Sequence, residues 1–321
     1  MKILKDQFNR RIDYLRISIT DRCNSRCQYC MPPSGVTFKP HSEILSFEEI
    51  YRIAKVFVDL GVKKIRLTGG EPLIRKDIIA LVSQLSKIEG LEELTMTTNG
   101  LLLKKYAKDL KAAGLTRVNI SIDSLDYEKY DLMTLGSSLS AVFEGIEAAK
   151  AVDLLPIKLN VVLIKGFNDK EIEDFVELTK NERIDVRFIE LMTLGHNKDW
   201  AKKRFISNDK VLEKLPGLVA VEKKDQSSPA DYYQIEGYKG RVGLINPITC
   251  RFCSDCNRVR LTSTGQLKLC LHSDEEYNLR EYTHHEEKLK NYIIKIIQEK
   301  PKAHKLAENI YTKSDMHSIG G

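Results

Sequence analysis

The stretch Tyr14-Leu-Arg-Ile-Ser-Ile-Thr20, followed by Asp21-Arg-Cys23-Asn-Ser-Arg-Cys27-Gln-Tyr-Cys30, decides the fold. Its first half alternates as a strand does: Leu15, Ile17 and Ile19 share one face, and Arg16, Ser18 and Thr20 share the other. Its second half sets three cysteines immediately behind that strand, on the loop at its carboxyl end. Five further strands are expected downstream, at Lys64–Thr68, Glu93–Thr97, Arg117–Ile122, Ile157–Leu163 and Asp185–Ile189. Each is separated from its neighbour by enough chain for a crossover helix. Ser46-Phe-Glu-Glu49 is a capping box, Ile50, Ile53, Ala54, Phe57 and Leu60 recur at helical spacing behind it, and Gly61 suits the stop. Further helices are expected over Asp77–Ile88 and Lys104–Ala113, the latter ended by Gly114. Repeated strand–helix units imply a parallel sheet, either a partial barrel or an open doubly wound sheet.

The strand faces separate those two. A parallel strand covered on both sides reads as a continuous apolar run. Here Arg16, Ser18, Arg66, Thr68, Asn119, Ser121, Lys158 and Asn160 occupy one set of alternate positions, opposite Leu15, Ile65, Val118 and Leu159. One face suits helix packing and the other is polar and cationic, as in a curved sheet lining a ligand-filled lumen. The fold class expected is α/β, a partial (β/α)6 TIM-like barrel over residues 1–200, with a C-terminal extension over residues 201–321. In that extension short strands are expected at Leu218–Val221, Tyr232–Ile235 and Arg241–Ile245, an exposed loop at Lys223–Ala230, and a charged helix over Asn278–Gln298.

Composition narrows the class. The chain has 321 residues, 42% hydrophobic and 30% charged, with a net charge of +6, enough to bury its own core and only mildly attractive to anions. No apolar run approaches the roughly 18 residues of a membrane span, and the N-terminus lacks a secretory pattern. The expectation is a cytoplasmic protein without membrane contact. Seven cysteines fall into two tight groups, Cys23, Cys27 and Cys30, then Cys250, Cys253, Cys256 and Cys270. An odd, clustered set is a poor disulfide framework and points to metal or redox chemistry.

Structural zinc takes four protein ligands, whereas C-x3-C-x2-C offers three with no nearby His. Three thiolates suit a [4Fe–4S] cluster with one iron left free of protein. This loop, with Tyr29 before its last cysteine, resembles the radical S-adenosylmethionine superfamily, and Thr68-Gly-Gly-Glu-Pro72 resembles that family's cofactor-amino motif. The resemblance implies that the free iron binds S-adenosylmethionine and that one electron cleaves it to a 5′-deoxyadenosyl radical. For the second group, Cys253-x2-Cys256-x13-Cys270, zinc remains open on spacing alone, with Cys250 or His272 as the fourth ligand. The intervening wording, Asn257-Arg-Val-Arg-Leu-Thr262 and onward, resembles one subfamily, the GTP 3′,8-cyclases of molybdenum-cofactor biosynthesis, in which a second [4Fe–4S] cluster keeps an open iron for the guanine.

Matching stretches run through nearly the whole chain, among them Asp13–Thr20, Thr97-Thr-Asn-Gly100, Asn119–Leu125, Arg187–Met192 and the closing Ile319-Gly-Gly321. Two places depart from the pattern: Thr193 stands where proline is usual, and Leu132–Ser137 lacks the usual Thr-Gly-Arg wording. What the resemblance implies, residue by residue, is cofactor contact by Tyr29, Gly70, Ser121 and Met192 and GTP contact by Arg16, Arg66, Thr97, Lys158, Arg258 and Arg260. Arg187 joins the GTP set by its place on the sixth strand, and no Walker-type loop is present to hold a triphosphate otherwise. Arginine forks suit phosphate oxygens. Gly320 and Gly321 are implied to reach into the active site, with Cys250 a spare thiol. Also implied are a lyase reaction in which a hydrogen leaves the ribose 3′ carbon and that carbon attacks guanine C8, a low-potential electron donor, a downstream pterin-forming enzyme and a homodimer. Two other readings remain at this point: a radical enzyme acting on a peptide or an RNA base, and a zinc-bearing nucleic-acid module, which would carry its basic residues on a surface stripe.

Overall fold

The computed structural model describes residues 3–320 apart from 33, 224, 251 and 309. Six parallel strands form its centre: β1 (Tyr14–Ser18), β2 (Lys64–Thr68), β3 (Glu93–Thr98), β4 (Arg117–Ser121), β5 (Ile157–Leu163) and β6 (Ile184–Glu190). They lie side by side in chain order, the arrangement that right-handed strand–helix–strand units produce. The connecting helices are α1 (Phe47–Asp59), α2 (Ile78–Leu85), α3 (Leu103–Ala112), the pair α4 (Tyr127–Thr134) and α5 (Leu139–Ala151), and α6 (Ile172–Glu177). The capping box at α1 forms in full, Ser46 accepting from the Glu49 amide and Glu49 from the Ser46 amide.

Leu15, Ile17, Ile65, Leu67, Val118, Ile120, Leu159 and Val161 are buried completely among the helices, so the apolar face is the one the sequence assigned. Two further helices, α7 (Lys198–Arg204) and α8 (Asp209–Lys214), follow β6.

The C-terminal third does more than extend the core. It adds a strand to both edges of the same sheet. On one edge β9 (Val242–Ile245) runs parallel to β6 and carries the antiparallel strands β8 (Ala230–Gln234) and β7 (Val219–Val221). On the other, β10 (Arg258–Leu261) runs parallel to β1 and carries β11 (Gln266–Lys268) and β12 (Tyr277–Asn278). The result is one twelve-stranded sheet that stays open. The charged helix is shorter than its pattern promised: β12 and a turn precede α9 (Glu286–Ile297). A last short helix, α10 (Met316–Ile319), ends the described chain.

The loop between β7 and β8 is exposed at Asp225 and Gln226, as expected, but it also reaches across to other strands. Asp225 pairs with Lys64 at 2.9 Å, and the Ser227 carbonyl accepts from Arg258. These contacts run from the β7–β8 hairpin to β2 and β10, so the loop crosses beneath the open side of the sheet and floors it.

Candidate active site

The first cysteine loop is held from three sides. The turn after β2 grips it from one: the Gly70 amide donates to the Thr20 carbonyl and the Glu71 amide to the Arg22 carbonyl, each at 2.8 Å. A Cβ on Gly69 would stand 2.6 Å from the Thr20 oxygen, and one on Gly70 2.2 Å from the Arg22 oxygen. Both glycines are therefore demanded by the cysteine loop itself, whatever ligand they also admit. The turn after β3 holds a second side through the Asn99 amide, which donates to Asn24 Oδ1 at 2.8 Å and Ser25 Oγ at 3.2 Å and lies 3.9 Å from Cys23 Sγ. Buried Glu71 staples these two turns, accepting from the Leu73 amide, the Thr98 hydroxyl and the Asn99 amide, and burial pushes its carboxyl up to about 7. The end of α4 supplies the third side. The Arg26 and Gln28 amides donate to the Thr134 and Met133 carbonyls, and the Ser25 and Ser137 hydroxyls bond at 2.8 Å. The unusual Leu132–Ser137 segment thus serves as backing for the cysteines.

Tyr29 points its hydroxyl at Asp123, 2.8 Å away, while Asn197 bonds the carbonyls of Tyr29 and Met192. None of the seven cysteines is in a disulfide. Burial pushes Cys23 up to about 11 and Cys30 up to about 12, with Cys27 also well above its usual range. Such thiols ionise readily only when a strong positive charge such as iron binds them.

The second triad is built on the edge strands. Cys256 lies two residues before β10, Cys270 two residues after β11, and Cys253 opens the turn before them. All three line a cavity of about 230 Å³ together with Arg16, Arg66, Arg187, Arg258, Arg260 and Met192. Exposed Cys250 lies outside it. Burial alone would raise Cys256, but Lys300 and Arg258 hold it below the ordinary thiol range. A second cavity of about 340 Å³ adjoins the first through Tyr14, Arg66, Arg187 and Arg258 and adds Lys158, Arg117 and Lys64. Thr97 and Asn119 are neighbours in register on this same polar face, and both Thr97 Oγ1 and Asn119 Nδ2 are buried without a hydrogen bond. Ser121 pairs in register with Asn160 at the upper rim.

Arg260, Arg16 and Arg66 are direct cross-strand neighbours on β10, β1 and β2. Like charges in that arrangement repel. Burial first, then the neighbouring arginines, pull Arg16 down to about 9 and Arg66 well below its normal value. Glu93 on β3 and Asp185 on β6 pair instead with Arg117, Arg241 and Lys158. A wall of buried cations of this kind is stabilised by a polyanion.

The tail closes the picture. The Gly320 carbonyl accepts from Arg260, and a Cβ on Gly320 would stand 2.3 Å from Thr68 Oγ1, so the chain lies flat on the ends of β1 and β2. Met316 lines the first cavity, and His317 bonds Cys30 through the backbone. The C-terminal triad opens directly on the cavity, while α10 runs between that cavity and the N-terminal triad. Gly321 lies outside the described residues.

The Radical SAM superfamily model matches residues 17–179, and the Molybdenum Cofactor Synthesis C model matches residues 184–306. A GTP 3′,8-cyclase of Peptoclostridium acidaminophilum is 55% identical over 99% of this chain and 98% of its own, and one of Alkaliphilus oremlandii is 52% identical over 99% and 100%. The chain belongs to the GTP 3′,8-cyclase family. The fold is similar to that of Streptococcus suis SuiB, solved bound to S-adenosylmethionine, with a TM-score of 0.57 at 16% identity over 86% of this chain and 65% of that one.

As a radical SAM family member the protein uses S-adenosylmethionine and an iron–sulfur cluster, and its residues fit them. Among the described residues no three His, Cys, Asp or Glu side chains sit close enough to share one ion. Three residues that hold the site, Asn99, Glu71 and Tyr14, escaped the sequence reading, whereas His272 was read only as a candidate zinc ligand. Asn99 and Glu71 lie inside quoted motifs but act on the loop, not on a ligand. Tyr14 carries the guanidiniums of Arg66 and Arg258 over its ring at 5.4 and 5.8 Å, a place visible only once β10 is known to lie beside β1. His272 lines the first cavity against His304, and burial first holds it down to about 3, hence neutral. No helix among the described residues is long and apolar enough to cross a membrane.

Proposed function

We propose that the protein is a GTP 3′,8-cyclase that binds GTP in the joined cationic cavities, with one [4Fe–4S] cluster on Cys23, Cys27 and Cys30 and a second on Cys253, Cys256 and Cys270. The observation that carries this reading is the meeting of the second cysteine triad with Arg16, Arg66, Arg187, Arg258 and Arg260 around one cavity. When bound, the first cluster and S-adenosylmethionine supply one electron and a carbon radical able to take a hydrogen atom.

The chain's own residues do the rest. Arg16, Arg66 and Arg260 form the cationic row for the triphosphate, with Lys158 and Arg187 beside it and Arg258 next to the second triad. Thr97 supplies a buried hydroxyl on the same face. Tyr29, Gly70, Ser121 and Met192 flank the cofactor. The helices behind the sheet and the 225–229 loop beneath it exclude water, which strengthens each contact and protects a radical from stray hydrogen donors. Gly320, held by Arg260, places bare backbone beside the substrate, and Gly321 is assigned the same catalytic role. The core is residues 1–200 and the cluster-bearing region 201–321, which supplies both edges of the sheet. A lyase reaction class, a low-potential electron donor, a pterin-forming enzyme acting on the product, a cytoplasmic setting and a homodimer complete the reading.

The test is an anaerobic incubation with S-adenosylmethionine, a reductant and GTP deuterated at the ribose 3′ carbon. Deuterium should appear in 5′-deoxyadenosine. Deuterium-free 5′-deoxyadenosine formed at the same rate without GTP would overturn the assignment.

A further inference from the structure

The second cysteine triad is backed by an unusual lysine. Lys300 follows α9 and is only 2% exposed. Its ammonium donates to the Arg258 carbonyl at 2.8 Å and to the Leu269 carbonyl. Arg258 lies two residues beyond Cys256, and Leu269 directly precedes Cys270. One ammonium therefore ties together the two chain segments that carry these thiols.

Its electrostatic setting is the more telling observation. A charge taken out of water is costly unless an opposite charge compensates it. Two other buried cations nearby obey that rule: Lys268 pairs with Glu276 at 3.2 Å, and Arg10 with Asp6 at 2.6 Å. Arg10 then donates to the Cys253 carbonyl at 2.8 Å, a neutral strut on the third ligand's backbone. Among the described residues Lys300 has carbonyls as its hydrogen-bond partners and no carboxylate at ion-pair distance. The ionisable groups it acts on are the thiols of Cys256 and Cys270, and it is the strongest cationic influence on each. The N-terminal triad is different, since Cys27, Cys30 and Asp123 there act on one another with like charge.

We propose that Lys300 is the counter-charge of the C-terminal iron–sulfur cluster, a positioning residue that clamps the segments bearing Cys256 and Cys270 and makes that cluster easier to reduce. The proposal rests on the two-cluster reading given above. Net charge and hydrogen bonding around the sulfurs set a cluster's potential. An adjacent ammonium that cannot be screened by water favours the more negative, reduced state.

The experiment uses full-length protein carrying Cys23→Ala, Cys27→Ala and Cys30→Ala, so that only the second cluster is present, reconstituted anaerobically. Iron, sulfide and zinc are counted first. Zinc alone, or no iron, would refute the two-cluster reading and take the proposal with it, and is recognised before any titration. With iron in place, Lys300→Met and Lys300→Arg are titrated by electron paramagnetic resonance at fixed potentials. Where the parent is half reduced, the reduced-to-oxidised ratio of the Met variant should fall about tenfold, a shift of about 59 mV for one electron. The Arg variant should stay near the parent. A fully loaded Met variant that titrates with the parent overturns the proposal. If the Met variant does not load iron, loading by the Arg variant supports the counter-charge role, and equal loss in both rejects it.

Discussion

Lys158 offers the sharpest quantitative test of how the lumen receives its substrate. Burial first, and then Arg187 and Arg117, push its ammonium down to about 6, with Asp185 at 3.8 Å opposing them only in part. At about pH 8 the free protein then carries a proton on Lys158 in only about 1% of molecules, two units above that value. A triphosphate in the same chamber reverses the balance, and the bound complex holds Lys158 protonated. Binding at about pH 8 should therefore take up close to one proton, at a cost of about 2.7 kcal/mol relative to low pH. The sign follows: the part of the affinity that Lys158 governs is flat below about pH 6 and weakens by up to about tenfold per unit above it. The assay is anaerobic calorimetry of GTP binding in two buffers of different ionisation enthalpy at about pH 8, where the nucleotide has no proton of its own to give. Lys158→Met should bind more weakly at low pH and show neither the uptake nor the slope. Uptake that is absent in the parent, or equal in the Met variant, would refute the reasoning.

Other consequences can be checked separately. Arg66→Met removes one of three adjacent cations, so GTP affinity should fall by about ten- to a hundredfold. The ligand-free protein should be unchanged in stability or gain about 1 kcal/mol at most, as like-charge repulsion is relieved. Gly70→Ala places a methyl 2.2 Å from the Arg22 carbonyl and should cost about four irons per chain by displacing the first cysteine loop, while GTP binding persists. Cys250→Ala should leave iron content and turnover unchanged, because that thiol lies outside the cavity. Gly320→Ala meets Thr68 Oγ1 at 2.3 Å on a backbone with φ of +73°, so turnover should drop at least about tenfold with both iron content and GTP affinity retained.

The parts of the molecule legible in the sequence are those set by local periodicity. Alternation along β1, β2, β4 and β5 gave both the strand positions and the face that lines the lumen, because the side-chain period of a strand admits no other assignment. The capping box at Ser46 and Glu49 was equally local. What escaped was non-local pairing. Nothing within Arg258–Leu261 says that it will run parallel to β1, and so the row Arg260, Arg16, Arg66 and the stacking on Tyr14 could not be read as neighbours. The loop at 225–229 reads as solvent-exposed by composition, and only the sheet's curvature brings Asp225 to Lys64. Lys300 gives no local signal at all: it sits beyond a charged helix, and α9 before it packs against α1, far away in the chain. Asn99 and Glu71 stood inside recognised stretches, yet their work on the cysteine loop is a matter of hydrogen-bond partners across strands.

The most direct measurement compares anaerobically purified parent protein with two triple variants, alanine at residues 23, 27 and 30 and alanine at residues 253, 256 and 270, for iron, acid-labile sulfide and zinc. The account predicts roughly eight irons with matching sulfide in the parent and roughly four in each variant. Four irons plus one zinc in the parent, with the zinc lost only from the second variant, would contradict it.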